Sequence, residues 1–202
     1  MKIKICGITE KQTLNFLIEN QVDYVGFIFH ENSPRNVTHA FINEIKNIDF
    51  QKTRPVLVFA NPDKSFVNSS LRYFKNPIIQ FHGDESEDFC KLFDCEFWKA
   101  LRIKDSKSLE DMKHFKNADA ILCDTYEEGI YGGTGSSFDW EMLNSDLLLD
   151  KKIILSGGLS IENLENALKI DPWCLDFNSG VESSPGLKDH SKIVEILSLI
   201  KK

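Results

Sequence analysis

Eight short runs of apolar, β-branched or aromatic residues recur along the chain, and polar or glycine-containing stretches follow them. Successive runs end 20 to 31 residues apart, which leaves room for a loop and a helix but is too long for a hairpin. Each run is almost continuously hydrophobic, as parallel strands buried on both faces are. The pattern therefore predicts eight parallel strands, at 3–6, 24–29, 56–59, 78–81, 97–101, 120–124, 153–155 and 174–177.

Between these runs, apolar residues recur at the three- and four-residue spacing of an amphipathic helix. The spacing predicts helices over 14–18, 41–48, 66–74, 109–115, 161–168 and 193–200, with shorter segments at 86–94 and 139–144. Thr9 is the predicted N-cap of the first helix. Eight strand–helix units in 202 residues equal the minimum for a closed (β/α)8 TIM barrel, with an open doubly wound sheet as the main alternative. We therefore expect a single α/β barrel domain over residues 1–202.

Composition and charge narrow the class of protein. The formal net charge is −7 without a Lys/Arg cluster, so no nucleic-acid partner is expected. No apolar stretch approaches the roughly 18–20 residues that cross a bilayer, and no signal segment follows Met1. We therefore expect a cytoplasmic protein without a membrane partner. The cysteines at 6, 90, 95, 123 and 174 contain no Cys-x-x-Cys pair, so neither a disulfide framework nor a metal site is predicted.

A thiol and a carboxyl group stand at the carboxyl ends of two predicted strands. Cys6 ends the first strand and Asp124 ends the sixth, at the edge where α/β sheets build their sites. A thiolate and a protonated carboxyl group make a base–acid pair, although an inert buried thiol and a loop-bracing carboxylate are the simpler interpretations. Because strand side chains alternate between faces, Cys123 is expected to face the helices.

Other loops after the strands carry candidate binding residues. Arg35 follows Asn32-Ser33-Pro34, and its charged fork suits a carboxylate, although a solvated loop arginine is the plainer alternative. His82 stands at the rim after the fourth strand, as a ligand contact or a structural histidine. The run from Gly132 to Gly135 follows the sixth strand and is typical of close backbone approach to a ligand or of a lid.

Two glycine-rich turns predict a phosphate site. Gly157 and Gly158 follow the seventh strand, and Ser179 and Gly180 follow the eighth. Barrels commonly hold phosphate between these two adjacent loops, with backbone N–H groups and a short helix N-terminus. Either turn alone is explained by a tight bend, but together they favour a phosphate cradle. A bulky residue at position 158 or 180 is then expected to block the phosphate.

The order of these motifs along the chain is itself informative. They are Lys4-Ile5-Cys6-Gly7-Ile8-Thr9, Gly26-Phe27-Ile28-Phe29, Ser33-Pro34-Arg35, Gln80-Phe81-His82-Gly83, Leu122-Cys123-Asp124, Gly132-Gly133-Thr134-Gly135, Phe138-Asp139-Trp140, Ser156-Gly157-Gly158-Leu159, Asn178-Ser179-Gly180-Val181-Glu182 and Pro185-Gly186-Leu187-Lys188-Asp189. This ordered set resembles the phosphoribosylanthranilate isomerase family of tryptophan biosynthesis over the whole chain. Each motif alone is weak, whereas the set is highly specific.

The resemblance implies a role for each candidate. Cys6 would be the general base, Asp124 the general acid, and Arg35 the partner of the anthranilate carboxylate. The remaining implied substrate contacts are His82, Gly135, Gly157, Gly158, Ser179 and Gly180. Asn178 stands where the family commonly has serine, and Ser136 where many members carry a charge, which bears on phosphate affinity and not on the reaction.

The implied reaction is an Amadori rearrangement of a phosphorylated small molecule. It is an internal redox change, so we expect no cofactor. The pKa of a free thiol is about 8.5 and that of an aspartate about 3.9, and we expect nearby positive charge to lower the first and burial to raise the second. Arg35 is the only basic side chain that the sequence places over the site. For the oligomeric state, a monomer is favoured.

Two other functions stay open on the sequence alone. The aldose–ketose isomerase of histidine biosynthesis runs similar chemistry with two aspartates, whereas the first strand here ends in Cys6. A non-catalytic barrel that binds a phosphorylated ligand is the alternative from another class, and a turnover assay distinguishes it.

Overall fold

A computed structural model describes residues 1–105, 107–125, 140–144 and 151–200. In these segments, eight parallel strands close into a barrel in chain order, with β8 pairing back onto β1. The strands are β1 Lys2–Ile5, β2 Tyr24–Phe29, β3 Arg54–Phe59, β4 Ile78–Phe81, β5 Phe97–Ile103, β6 Ala120–Thr125, β7 Ile153–Leu155 and β8 Cys174–Phe177. The predicted (β/α)8 barrel is confirmed, and β1 ends one residue before Cys6.

Helical segments follow the strands. The α-helices are α1 Lys11–Glu19, α2 His39–Ile45, α3 Lys64–Leu71, α4 Glu87–Cys90, α5 Leu164–Lys169 and α6 His190–Ile200. Short 3-10 helices cover Ser108–His114, Trp140–Asn144 and Ile161–Asn163. No helix in the described segments is long and apolar enough to cross a membrane.

The predicted N-cap of the first helix is wrong. Helix α1 begins at Lys11, and Glu10 occupies the N-cap position without a side-chain cap. The Thr9 hydroxyl instead donates to the carbonyl oxygen of Gly186 at 2.7 Å. Thr9 therefore ties the loop after β1 to a segment near the end of the chain.

The buried apolar side chains of the described residues form two clusters. A large outer cluster fills the space between barrel and helices and includes Cys123, as the alternation of strand faces predicts. A smaller inner cluster fills the barrel below the site. Its members are Cys6, Tyr24, Val56, Val58, Ile78, Trp98, Ala100, Ala120, Leu122, Ile154 and Cys174.

A hairpin between β8 and α6 was not predicted. After a 3-10 turn at Ser179–Val181, strand β9 (Glu182–Ser184) pairs antiparallel with β10 (Leu187–Lys188). The Asp189 N–H donates to the carbonyl oxygen of Val181 at 2.8 Å, which closes the base of the hairpin. This hairpin brings two further charged side chains, Glu182 and Lys188, to the mouth of the barrel.

Candidate active site

A cavity opens at the carboxyl ends of the strands and encloses about 750 Å³ of empty volume, part of it open to solvent. Most of the predicted site residues line it, namely Cys6, Arg35, His82, Asp124, Gly157, Gly158 and Ser179. Gly180 is not among the described residues that line it, and Gly135 lies outside the described residues. The fold therefore brings the thiol, the carboxyl group, the guanidinium group and one glycine turn to a single cavity.

Cys6 is positioned by its neighbours on both sides in the barrel. Its N–H donates to the carbonyl oxygen of Phe177 at 2.8 Å, and the residue is only 5% exposed. On the other side, a Cβ atom at Gly26 would stand 2.6 Å from Sγ of Cys6. The absence of a side chain at position 26 therefore makes room for the thiol.

A buried ion pair involves Lys4, which lies two residues before Cys6. Nζ of Lys4, which is fully buried, donates to Oδ2 of Asp176 at 2.6 Å, and the two residues are direct partners in the pairing of β1 with β8. Burial alone would lower the pKa of Lys4, but Asp176 and the Cys6 thiolate raise it above its ordinary value. The ammonium group therefore stays charged beside Cys6.

The expectation that the pKa of the Cys6 thiol is lowered is wrong. Burial raises this pKa, and although Lys4 opposes the increase, Asp176 adds to it. Lys188 is a second cation that lowers the thiol pKa, but desolvation of the thiolate outweighs both lysines. The lysines therefore limit an increase in the pKa and do not reverse it.

Asp124 is 4% exposed, and its two carboxylate oxygens have different partners. Oδ1 accepts the N–H of Thr125 at 2.9 Å, and Oδ2 lies 3.0 Å from Nε2 of His82. The amide nitrogen of Gln80 lies 3.3 Å from Nδ1 of the same imidazole. With that amide assigned as the donor, the imidazole carries its proton on Nε2 and donates to Asp124. His82 is thus a partner of Asp124, and its predicted substrate contact stays a prediction.

Arg35 is held in place by a carboxylate that the sequence analysis did not single out. Its Nε and Nη2 donate to the two carboxylate oxygens of Glu182 at 2.8 and 2.7 Å. Lys188 donates to the same carboxylate at 2.7 Å and to Oδ1 of Asn178 at 2.9 Å. Although burial acts to raise the pKa of Glu182, the two cations hold it below its usual range. Arg35 is therefore not the only basic side chain at the site, because Lys188 and Lys4 also lie beside Cys6.

The turn after β7 is shaped by two glycines and one asparagine. Gly157 and Gly158 have φ values of 85° and 65°, a region in which side chains are strained. Nδ2 of Asn163 donates to the carbonyl oxygen of Gly158 at 2.8 Å, and its Oδ1 accepts the N–H of Ser160 at 2.9 Å. This bracing fixes the backbone of the turn where it lines the cavity.

Gly180 has a packing role that differs from the expected one. A Cβ atom at this position would overlap the carbonyl group of Leu159, so the absence of a side chain lets the turns after β7 and β8 contact each other. A bulky residue at position 180 would therefore force the two turns apart. The direct steric block of a phosphate at this position stays a prediction.

The site contains charged residues that the sequence analysis missed. Lys4 and Asp176 are charged residues within largely apolar strands. Lys4 also lies two residues before Cys6, so the two side chains are expected on the same face of the strand. These two signals mark residues that point into the barrel. Glu182 and Lys188 offered no such signal, because their placement depends on the unpredicted hairpin.

Comparisons with known proteins agree with this geometry. The family model of N-(5'phosphoribosyl)anthranilate (PRA) isomerase matches residues 3–198. A relative of that name from Sulfurihydrogenibium sp. (strain YO3AOP1) is 39% identical over 204 residues, which cover 100% of this chain and 99% of the relative. Both matches extend over almost the entire chain.

Solved structures give the same result. The phosphoribosyl anthranilate isomerase of Thermotoga maritima is 29% identical with a TM-score of 0.88, and the match covers 100% of this chain and 98% of that one. A phosphoribosyl anthranilate isomerase in complex with reduced 1-(o-carboxyphenylamino)-1-deoxyribulose 5-phosphate is 28% identical with a TM-score of 0.85 and the same coverage. The chain therefore belongs to the N-(5'-phosphoribosyl)anthranilate isomerase family.

Proposed function

We propose that this chain converts N-(5'-phosphoribosyl)anthranilate to 1-(2-carboxyphenylamino)-1-deoxyribulose 5-phosphate in tryptophan biosynthesis, with Cys6 as general base and Asp124 as general acid. The observation that carries the assignment is that both side chains line one cavity of a family member. The rearrangement is redox-neutral within the substrate, so its chemistry requires no cofactor. A monomer stays a prediction.

The acid step uses Asp124. Its carboxyl group donates a proton to the ribose ring oxygen, and the ring opens to a protonated Schiff base. The imidazole of His82 at 3.0 Å and the Thr125 N–H at 2.9 Å hold the carboxyl group in one orientation. A group fixed in this way meets the geometric requirement of a general acid.

The base step uses Cys6. The thiolate removes the proton from C2′ of the Schiff base, and the resulting enolamine becomes the ketone. Lys4 and Lys188 both favour the thiolate, which offsets part of the cost of placing a charged sulfur in a buried position. These two cations make a buried cysteine usable as a base.

The two ends of the substrate need different partners. We assign the anthranilate carboxylate to Arg35, whose Nη1 is the guanidinium nitrogen that does not bind Glu182. We assign the phosphate to the backbone of the Gly157–Gly158 turn and to Ser179, which line the cavity together. Local donors of this kind permit binding of an anionic substrate to a protein of net charge −7.

The alternative functions make different demands. The aldose–ketose isomerase of histidine biosynthesis uses an aspartate where this chain has Cys6, and a non-catalytic barrel does not require the acid and the base in one cavity. Complementation separates the three functions. We expect the gene to restore growth without tryptophan to a strain that lacks this isomerase, but not growth without histidine to the corresponding histidine auxotroph. Rescue of the histidine auxotroph alone, or of neither strain, would contradict the proposal.

Replacing Arg35 by methionine is expected to weaken binding of the carboxylate end alone. A charge-assisted pair lost from a desolvated pocket costs roughly 2–3 kcal/mol, or about 30–150-fold in kcat/KM, mainly through KM. Inhibition constants for an anthranilate-like carboxylate and a ribose-phosphate-like ester measure the two ends separately, and only the first should weaken.

Ser179→Asp is the matched variant for the other end, because it places a negative charge where the phosphate is assigned. It should weaken binding of the ester and leave the carboxylate fragment unchanged. If each variant weakens both fragments equally, the assignment of the two ends is wrong.

Ionisation of the Cys6 thiol should follow its raised pKa. The thiolate increases with pH, so its absorbance should still rise at about pH 8.5, where an ordinary thiol is half ionised. The charged groups that act on this thiol are Lys4, Asp176, Lys188 and Arg35. Thiolate absorbance of the wild type minus that of Cys6→Ser measures the titration directly. A plateau of this difference below pH 8 would contradict the expectation.

A further inference from the structure

The proposed reaction moves two protons, and the group that accepts the second of them has not been named. Between substrate and ketone, one proton moves from C2′ to C1′, and another moves from the 2′-hydroxyl oxygen to the ring oxygen. Cys6 takes the proton from C2′, and Asp124 supplies the proton to the ring oxygen. Neither residue has yet been assigned the proton that leaves the 2′-hydroxyl group.

Asp176 has the chemistry and the position for this task. It lines the cavity and is 5% exposed. Its Oδ2 is held by Lys4 at 2.6 Å, whereas its buried Oδ1 has no hydrogen-bond partner within the described segments. Buried polar atoms without a partner are uncommon in native proteins. A carboxylate oxygen of this kind is an acceptor that a substrate hydroxyl group can satisfy.

Asp176 lines the same cavity as Cys6 and Asp124, and the three groups interact electrostatically. Burial raises the pKa of Asp176, Lys4 opposes this effect, and the charge of Asp124 adds to it. Asp176 in turn raises the pKa of Cys6. A carboxylate with a raised pKa is a better base than an ordinary aspartate, and Asp124 lines the same cavity.

We propose that Asp176 is a catalytic residue that binds the 2′-hydroxyl group and accepts its proton as the enolamine becomes the ketone. This inference rests on the proposed function. The O–H bond of the 2′-hydroxyl group breaks and the C2′=O double bond forms, while the electron pair of the C1′=C2′ double bond takes the proton from the Cys6 thiol at C1′. The proton on Asp176 then returns to Asp124, so that all three groups regain their starting states.

The orientation of the Asp176 carboxylate depends on its ion pair with Lys4. Lys4 holds Oδ2, so that Oδ1 is the oxygen left for the substrate. The ammonium group also favours the ionised carboxylate, because it opposes the increase in the pKa of Asp176 that burial causes. Lys4 thus positions Asp176 and also favours the Cys6 thiolate.

The test compares wild type, Asp176→Asn and Cys6→Ser in deuterium oxide. Two quantities are measured by mass spectrometry and NMR: ketone formation, and deuterium at C2′ of the recovered substrate. In Asp176→Asn we expect ketone formation to fall on the order of 100-fold or more, while deuterium still enters C2′ because the base and the acid remain. Cys6→Ser should show neither process.

Three outcomes would overturn the role of Asp176. One is ketone formation by Asp176→Asn near the wild-type rate, which would mean that another group, such as the ionised Asp124, takes the proton. Another is loss of both ketone and deuterium entry in a folded variant, which would mean that Asp176 only holds other groups in place. If Asp176→Asn does not fold, the double variant Lys4→Met/Asp176→Asn removes both buried charges, and its two measurements are compared with those of Lys4→Met, which also lacks the ammonium group beside Cys6. Failure of the wild type to form ketone would instead contradict the proposed function itself.

Discussion

Replacing Cys6 by serine is expected to remove nearly all turnover while the barrel still folds. A serine hydroxyl group fits the space beside Gly26, but its pKa is far above that of a thiol, so the base is lost. Loss of a positioned general base typically lowers the rate by about 10²–10⁴-fold. The measurements are kcat with substrate generated in situ, the thermal unfolding midpoint, and binding of a product analogue, which should remain.

Cys95→Ser is the matched control. Cys95 is a half-buried thiol away from the cavity, and its Sγ donates to the carbonyl oxygen of Pro77 at 2.9 Å, a bond that a hydroxyl group can also make. This variant should keep turnover within a few-fold of wild type. Near-wild-type kcat for Cys6→Ser, or a loss of turnover in Cys95→Ser, would show that the catalytic and the structural thiols have been assigned incorrectly.

Replacing Asp124 by asparagine is expected to lower kcat by a similar factor, because the amide keeps the shape of the carboxyl group but cannot donate a proton as an acid. The amide oxygen can still accept the N–H of Thr125, which the carboxylate accepts at 2.9 Å. The loss should therefore appear in kcat and not in the unfolding midpoint, and a product analogue should still bind.

His82→Asn serves as the comparison for this residue. The imidazole orients Asp124 from 3.0 Å, so its replacement should lower kcat by less than the replacement of Asp124 itself. If Asp124→Asn turns over faster than His82→Asn, the general acid is misassigned and the imidazole is the better candidate.

The strands and the positions of Cys6 and Asp124 were predictable because their signals are local. Each strand lies between helices and barrel interior, so its sequence is a continuous apolar run, and the run ends where Cys6 or Asp124 enters the cavity. The alternation of strand faces also assigned Cys123 correctly to the outer core. Local hydrophobicity therefore predicted the fold and the positions of Cys6 and Asp124, whose acid and base roles stay a prediction.

The environment of these residues was not predictable, because it depends on contacts between distant segments. Arg35 meets Glu182 across 147 positions of sequence, and Lys4 meets Asp176 across 172. The predicted direction of the pKa shift of the Cys6 thiol was wrong for a related reason. The sequence suggested nearby cations but did not give the degree of burial, and burial has the larger effect.

The most direct measurement follows the loss of anthranilate fluorescence when the purified protein meets phosphoribosylanthranilate generated in situ. We expect rapid, saturable loss with wild type, and a rate near background with Cys6→Ser and with Asp124→Asn at the same protein concentration. No loss of fluorescence with a folded wild-type protein would contradict the proposed isomerase activity, and equal loss with all three proteins would contradict the acid–base pair.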